Sequence, residues 1–314
     1  MEKQNPETPE SSCGSSVRNW ADLTHVCLVN VFSRLPDEDR WKSAMFVCKS
    51  WMEATQDRSL FVKFDLETVF ENKKLDRSAW WEPEFEKRID RMVRSVAEWS
   101  DGALQELRVR HCSDQALSLV AERSPNLQVL SIRSSPNVTD ESLSKIAFSC
   151  SLLRELDISY CYEVSYKSLE LIGRQCPNLK VLKRNHMNWL DPSQHLGIVP
   201  TEYLNALPQD GDREASRVAM YMRNLEHLEL RFSKMSAKGL ALVAEGCANL
   251  KYLDLFGCAS LTSRAMEQAS TKLKNLSTLV RPNFYIPRAL FNVERYGHWR
   301  LHDERFQTNA FFQI

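Results

Sequence analysis

Long apolar runs are missing from this chain. No stretch approaches the roughly 18 residues needed to span a bilayer, and none near the start reads as a secretory leader, so a soluble protein is expected. A charge excess is missing as well. The 41 Lys and Arg balance 41 Asp and Glu over 314 residues, which removes any global field toward nucleic acid or an anionic membrane and leaves partners to be recognised locally. Paired-cysteine chemistry is also absent: the nine cysteines are odd in number and no C-x-x-C occurs. That argues for a reducing compartment and against a disulfide framework or a zinc site. There is no glycine-rich phosphate loop, nucleophile elbow, H-E-x-x-H or paired-carboxylate spacing, and the seven histidines have no motif partners. Nothing here calls for catalysis, a cofactor or a metal.

What the chain does contain is repetition. "LRELDISYCYEVSYKSLELIGRQCPNL" from Leu153 is nearly rewritten as "LKYLDLFGCASLTSRAMEQASTKLKNL" from Leu250. The pattern L-x-x-L-x-L recurs at Leu127, Leu130, Ile132; Leu153, Leu156, Ile158; Leu225, Leu228, Leu230; and Leu250, Leu253, Leu255, with first leucines 26 residues apart from Leu127 to Leu153 and on to Leu179, 25 from Leu225 to Leu250 and 26 from there to Leu276. Such a period marks a leucine-rich repeat. The L-x-L part alternates like a short strand, and the segment after it, with Leu169, Ile172 and Cys176, has helical spacing. An earlier copy begins at Leu104 and a truncated one at Leu276, giving about seven units. One unit alone leaves apolar faces bare, whereas stacked units share a continuous core. Cys112, Cys161 and Cys258 each lie eight residues after a first leucine, and Cys150, Cys176 and Cys247 each lie three before the next one. Six of the nine cysteines therefore read as small buried side chains.

Upstream, "NWADLTHVCLVNVFSRLPDEDRWKSAMFVCKSWMEATQDRSLFVKFDL" starts at Asn19. Asp22 or Thr24 can cap a helix carrying Leu23, Val26, Leu28, Val31, Phe32 and Leu35. Pro36 breaks it, and a second helix is expected over Trp41, Ala44, Met45, Val47, Cys48 and Trp51. So many large apolar side chains exceed what so small a core can take, and some should face a partner. V-F-x-x-L at Val31, followed after Asp39 by V-C-K-x-W at Val47, resembles an F-box, with Thr24 in place of the usual proline and Arg40 where an apolar residue is commoner. F-box and cysteine-type repeats together resemble the plant F-box and leucine-rich-repeat proteins over nearly the whole chain.

That resemblance implies an α/β fold: an N-terminal helical F-box, then a leucine-rich-repeat solenoid with short parallel strands on the concave side and helices on the convex side. It implies a substrate-recognition subunit of an SCF (Skp–cullin–F-box) ubiquitin ligase, itself non-catalytic, acting in the nucleus, the cytoplasm or both. The adaptor-binding residues, at or supporting the interface with a Skp-type adaptor, would be Leu23, Leu28, Phe32, Leu35, Val47, Cys48 and Trp51.

The expected organisation is a disordered tail at 1–16, the F-box at 17–65, a helical linker and N-terminal cap at 66–103, repeats at 104–280, and a C-terminal cap at 281–314. "FEKRIDRMVRSVAEW" supplies the capping helix, and Trp80 and Trp81 are expected to pack at the junction. The regular phase breaks between Leu179 and Leu225, 46 residues apart, which places an insertion at about 185–212. Insertions in solenoids map to one face, often the binding face, and this one brings Trp189 and Tyr203. The strand face brings Arg108, Arg110, Arg133, Tyr160, Arg231, Phe232 and Phe256, a set that suits an acidic or phosphorylated protein segment and equally suits a solvated edge. Two other readings stay open. A leucine-rich-repeat scaffold without ubiquitination expects Phe32 and Trp51 to be buried in the isolated chain, and a small-ligand co-receptor expects a polar pocket under the insertion.

Overall fold

The structure, a computed structural model, describes residues 20–71, 78–191, 199–200 and 210–282. The tail at 1–16, most of the insertion and all but the first two residues of the cap at 281–314 lie outside the described residues. Contacts divide the chain into two units, at Leu60 and Phe61.

The first unit is built from short helices: a 3-10 turn (Trp20–Asp22), α1 (His25–Phe32), α2 (Asp37–Lys42), a second 3-10 turn (Ala44–Phe46) and α3 (Lys49–Thr55). Thr24 caps α1, its hydroxyl accepting from the Cys27 N–H at 3.4 Å. The single second helix expected from Trp41 to Trp51 is instead split. Ser43 leaves the helical region at φ −129°, and Cys48 is fully extended at φ −162° before α3 begins. Leu28, Phe32, Ala44 and Ala54 form the core, with the Phe32 and Trp51 rings edge to face at 5.1 Å. Arg40, where an apolar residue was expected, is buried and donates to the Leu60 carbonyl at 3.4 Å and to Asp37.

The second unit is an eight-stranded parallel sheet in strict sequence order: β1 (Lys63–Asp65), β2 (Glu106–Arg108), β3 (Val129–Ser131), β4 (Glu155–Asp157), β5 (Val181–Lys183), β6 (His227–Glu229), β7 (Tyr252–Asp254) and β8 (Thr278–Val280). In register, Phe64, Leu107, Leu130, Leu156, Leu182, Leu228, Leu253 and Leu279 form one row. The first seven are fully buried, each contributing about 1.5–3 kcal/mol.

β1 adds a repeat to the seven expected, because Phe61, Phe64 and Leu66 stand in for the three leucines. The helix expected to cap the array, α5 (Pro83–Trp99), is the helix of this first repeat. It buries Ile89, Val93 and Val96 and packs beside α6 (Asp114–Arg123). A short α4 (Glu67–Glu71) precedes it. The row continues through α7 (Asp140–Ser149), α8 (Tyr166–Gln175), α9 (Gly211–Tyr221), α10 (Ala237–Gly246) and α11 (Ser263–Lys272), each packed on the last. Trp80 packs inside this unit, its ring 5.3 Å from Phe70 and 6.3 Å from Phe85.

Two polar ladders tie the repeats together. Each of Ser113, Thr139, Ser165 and Ser236 caps a helix with its hydroxyl. Each also donates its own N–H and O–H to an aspartate of the preceding helix: Asp90, Asp114, Asp140 and Asp212 respectively, with N···O distances of 2.8–3.0 Å. Along the other edge, Asn126, Asn224, Asn249 and Asn275 donate to the carbonyls of Gly102, Pro177, Arg223 and Ala248 in the preceding repeat. The phased cysteines behave similarly. The thiols of Cys161 and Cys258 donate to the Ile132 and Leu230 carbonyls at 3.1 and 3.0 Å, and burial pushes both thiols up to about 12, which keeps them protonated.

Burial alone would raise the Asp140 carboxyl, but the hydrogen bonds from Ser165 and Ser168 outweigh it and hold its pKa below the ordinary value. A depressed carboxylate contributes stability above its unfolded pKa, near 4, and loses it as pH falls through the folded value. Asp140→Ala is expected to lower stability by about 1–3 kcal/mol near neutral pH. In denaturant unfolding the deficit should shrink below pH 4.

Candidate functional site

The first unit closes its own core and still shows apolar side chains to solvent. Leu28 and Phe32, expected at or supporting an interface, are 1% and 0% exposed. They are interior residues, because the helix turns them inward against Ala44, Ala54 and Trp51. Leu23, Leu35, Cys48 and Trp51 are half-buried, with the Trp51 Nε1 donating to the Trp20 carbonyl at 3.3 Å. Val47 is exposed. The same unit exposes residues that motif matching did not single out as contacts: Val26 and Phe46, each 76% exposed, and Val31, Met52 and Trp20. The signal for them was available. α1 reads HVCLVNVF, apolar nearly all round over only eight residues, and a helix of that kind is buried on more than one side. Burial of Phe32 therefore reflects the module's own packing and does not separate a docking module from a mere cap.

On the open face of the sheet, the arginines expected to grasp an acidic segment are already held. Arg108 lies between Glu106, 2.6 Å from Nε, and Glu155, met by two parallel bonds at 3.0 and 3.1 Å. Arg110 forks onto Glu67 at 3.1 and 2.5 Å. Arg133 reaches Glu67 at 3.4 Å and Asp157 at 3.7 Å, and Arg231 forks onto Asp254 at 2.8 and 2.7 Å. Lys63 continues the line to Glu106, and Lys183 lies 3.9 Å from Glu155 and 3.8 Å from Glu229. Burial would raise the Glu229 carboxyl, but hydrogen bonds from His227 and Asn185 and the charge of Lys183 hold it down at about 2. The face is thus a charge-balanced network. Carboxylates on neighbouring strands, invisible to a residue-by-residue reading, neutralise the arginines.

Aromatic residues gather toward the later repeats. Phe232 and Phe256 pack edge to face at 5.5 Å, and the Trp189 Nε1 donates to the Phe232 carbonyl at 2.8 Å with the Lys234 ammonium 5.0 Å from its ring. Tyr160 and Phe232 hold left-handed backbone at φ 65° and 57°, while glycine takes that region at Gly257. For bulky side chains this conformation is costly. Tyr160 lies apart from the group, its ring under the Arg133 guanidinium at 6.0 Å. Tyr203 lies outside the described residues.

At the root of the insertion is a feature the motif reading missed. Arg184 occupies the third-leucine position, where Ile132, Ile158, Leu230 and Leu255 stand in other repeats, and it is buried. Its guanidinium donates to the Cys161 and Val164 carbonyls at 2.6 and 2.7 Å and pairs with buried Glu214 at 3.1 Å. His186, also buried, lies 3.6 Å from the same carboxylate. An arginine in a leucine slot was the available sign.

Among the described residues no group of His, Cys, Asp and Glu is arranged to hold a metal ion, and no helix is long and apolar enough to cross a membrane. A family model for the F-box domain matches residues 20–63. The F-box protein SKIP1 of Arabidopsis thaliana is 53% identical over 93% of this chain and 97% of its own. The putative F-box/LRR-repeat protein 19 of the same plant is 47% identical over 90% and 93%. Among solved structures, one from the complex of yeast Rad7 and Elc1 aligns with a TM-score of 0.41 and 16% identity, covering 68% of this chain and 50% of that one. With identity of this extent over nearly its whole length, the chain belongs to the F-box/LRR-repeat proteins.

Proposed function

We propose that the chain is the substrate-recognition subunit of an SCF-type ubiquitin ligase, its helical module docking on a Skp-type adaptor and its repeats holding a protein substrate. The observation that carries this reading is the exposure of Val26, Val31, Phe46, Val47 and Met52 on a module whose core is already closed by Leu28 and Phe32. Covering each such side chain would contribute about 1.5–3 kcal/mol to docking, and Leu23, Leu35, Cys48 and Trp51 are half-buried in the same module. The chain breaks no bond. Its contribution is proximity, bringing a substrate lysine near ubiquitin carried by the ligase.

The paired state of Arg108, Arg110, Arg133 and Arg231 favours a substrate surface carrying both charge signs over a purely acidic or phosphorylated one. Trp189, Phe232 and Phe256 are the apolar part of the same reading. Buried, free thiols fit a reducing compartment, nucleus or cytoplasm. Titration of the full chain against Skp-type adaptors tests the proposal. Dissociation constants in the nanomolar to micromolar range are expected, and absence of binding to every adaptor would remove the ligase reading and leave the scaffold.

A further inference from the structure

Between Asn126 and Asn275 the asparagine ladder has one gap. The residue before the first leucine is Asn126, Asn178, Asn224, Asn249 and Asn275 in five repeats, and it is Leu152 in the repeat that leads into β4. Four of those asparagines donate to a carbonyl of the preceding repeat. At position 152 that bond is given up and an apolar side chain is shown to water instead, 42% exposed. Four residues earlier a second departure occurs on the same edge. The penultimate position of the repeat helices is Glu122, Arg174, Glu245 or Thr271 elsewhere, with Met220 in α9, but in α7 it is Phe148, 65% exposed. Nothing in packing explains either choice, since both side chains face solvent.

The surroundings say what kind of partner fits. Arg123 ends α6, the helix packed beside α7, and Arg154 follows Leu152 by two residues; both are exposed, and neither has an ion-pair partner among the described residues. Farther along the edge come Lys180 and Lys251, both paired to Glu226 at 2.7 and 2.6 Å, then Arg223, Lys272 and Lys274. Glu122, Glu226 and Glu245 punctuate this strip, which disfavours a continuous phosphate backbone. Two exposed apolar side chains, on the same edge of neighbouring repeats as two guanidinium groups without an ion-pair partner among the described residues, match a short segment with one apolar anchor between carboxylates.

We infer that Phe148 and Leu152, with Arg123 and Arg154, form a second protein-docking edge that takes an acidic peptide segment anchored by a Leu-, Ile-, Met- or Phe-type side chain. This edge belongs to the repeats and is independent of the adaptor reading.

The repeats themselves supply the test. Leu152→Asn restores the residue five other repeats use and offers a donor to the Pro125 carbonyl, so it should leave the unfolding temperature unchanged or raise it. Random peptides of about twelve residues, displayed on phage, would be selected on the full chain, then synthesised with a fluorescent label and titrated. The expected result is enrichment of apolar residues flanked by Asp and Glu, with affinity falling about tenfold or more in Leu152→Asn and in Phe148→Ser, and falling also as salt rises. Adaptor binding should be the same in both variants. The inference is overturned if no peptide enriches or if the enriched peptides bind the variants as well as the parent. It is equally overturned if the edge instead binds vesicles of phosphatidylcholine and phosphatidylserine, or if it joins two copies of the chain.

Discussion

Glu214→Ala is expected to destabilise the repeat unit by about 3–5 kcal/mol, because it leaves the Arg184 guanidinium charged and unpaired in the interior. Three contacts make the site unforgiving. Arg184 is clamped by the Cys161 and Val164 carbonyls, the carboxylate is its only counter-charge among the described residues, and His186 borders the same carboxylate. Arg184→Leu together with Glu214→Ser writes the residues of ordinary repeats into both positions, since Ser142 and Ser168 stand where Glu214 does. That pair should recover most of the loss, as apolar replacement of a buried ion pair often does. Denaturant midpoints at constant slope would read both effects.

Acid should weaken the same site. Burial would raise Glu214, but the charge of Arg184 and the contact with His186 hold it well below the usual carboxylate range. Its contribution is therefore complete above the unfolded pKa, near 4, and fades as pH falls through the folded one. His186 is lowered chiefly by burial, so folding keeps it neutral and stability drops as pH falls below its unfolded value, near 6.5. Both groups act in the same direction, and the Glu214→Ala deficit should be smallest at the acid end.

The second large effect belongs to the helical module. Val31→Glu combined with Phe46→Ser is expected to weaken adaptor binding about 100-fold or more, because central apolar anchors carry most of an interface's energy. Folding should change by no more than about 0.5 kcal/mol, the usual cost at exposed positions. Phe32→Ala should behave in the opposite way. It deletes a fully buried ring packed on Trp51 and should cost about 3–5 kcal/mol of stability, with any loss of binding following from unfolding. Circular dichroism melts beside titrations would separate the two kinds of variant.

The period of the leucines was enough to place seven of the eight strands, because each repeat must present the same apolar row to its neighbour. β1 escaped for a physical reason: Phe61 and Phe64 fill the leucine slots, and 43 residues separate Phe61 from Leu104, so neither the letter nor the spacing repeats. α5 was legible as an amphipathic helix but not as a member of the row. In the helical module, V-C-K-x-W identifies the motif without saying which side chains turn inward. Leu28 and Phe32 went to the core, while Val26 and Phe46 stayed outside. The arginines of the strand face were each legible, but their neutralisation by Glu67, Glu155 and Asp254 depends on cross-strand register, which no single repeat encodes. Arg184 was the most readable omission, since a charge in a leucine slot calls for a buried partner.

The account rests on docking through the exposed apolar face of the helical module, and hydrogen–deuterium exchange of the full chain with and without a Skp-type adaptor tests that most directly. Protection is expected at residues 25–32 and 44–52 on adding adaptor, with the strands from Glu106 to Val280 unchanged. Protection confined to the strand face, or none in the helical module, would contradict it.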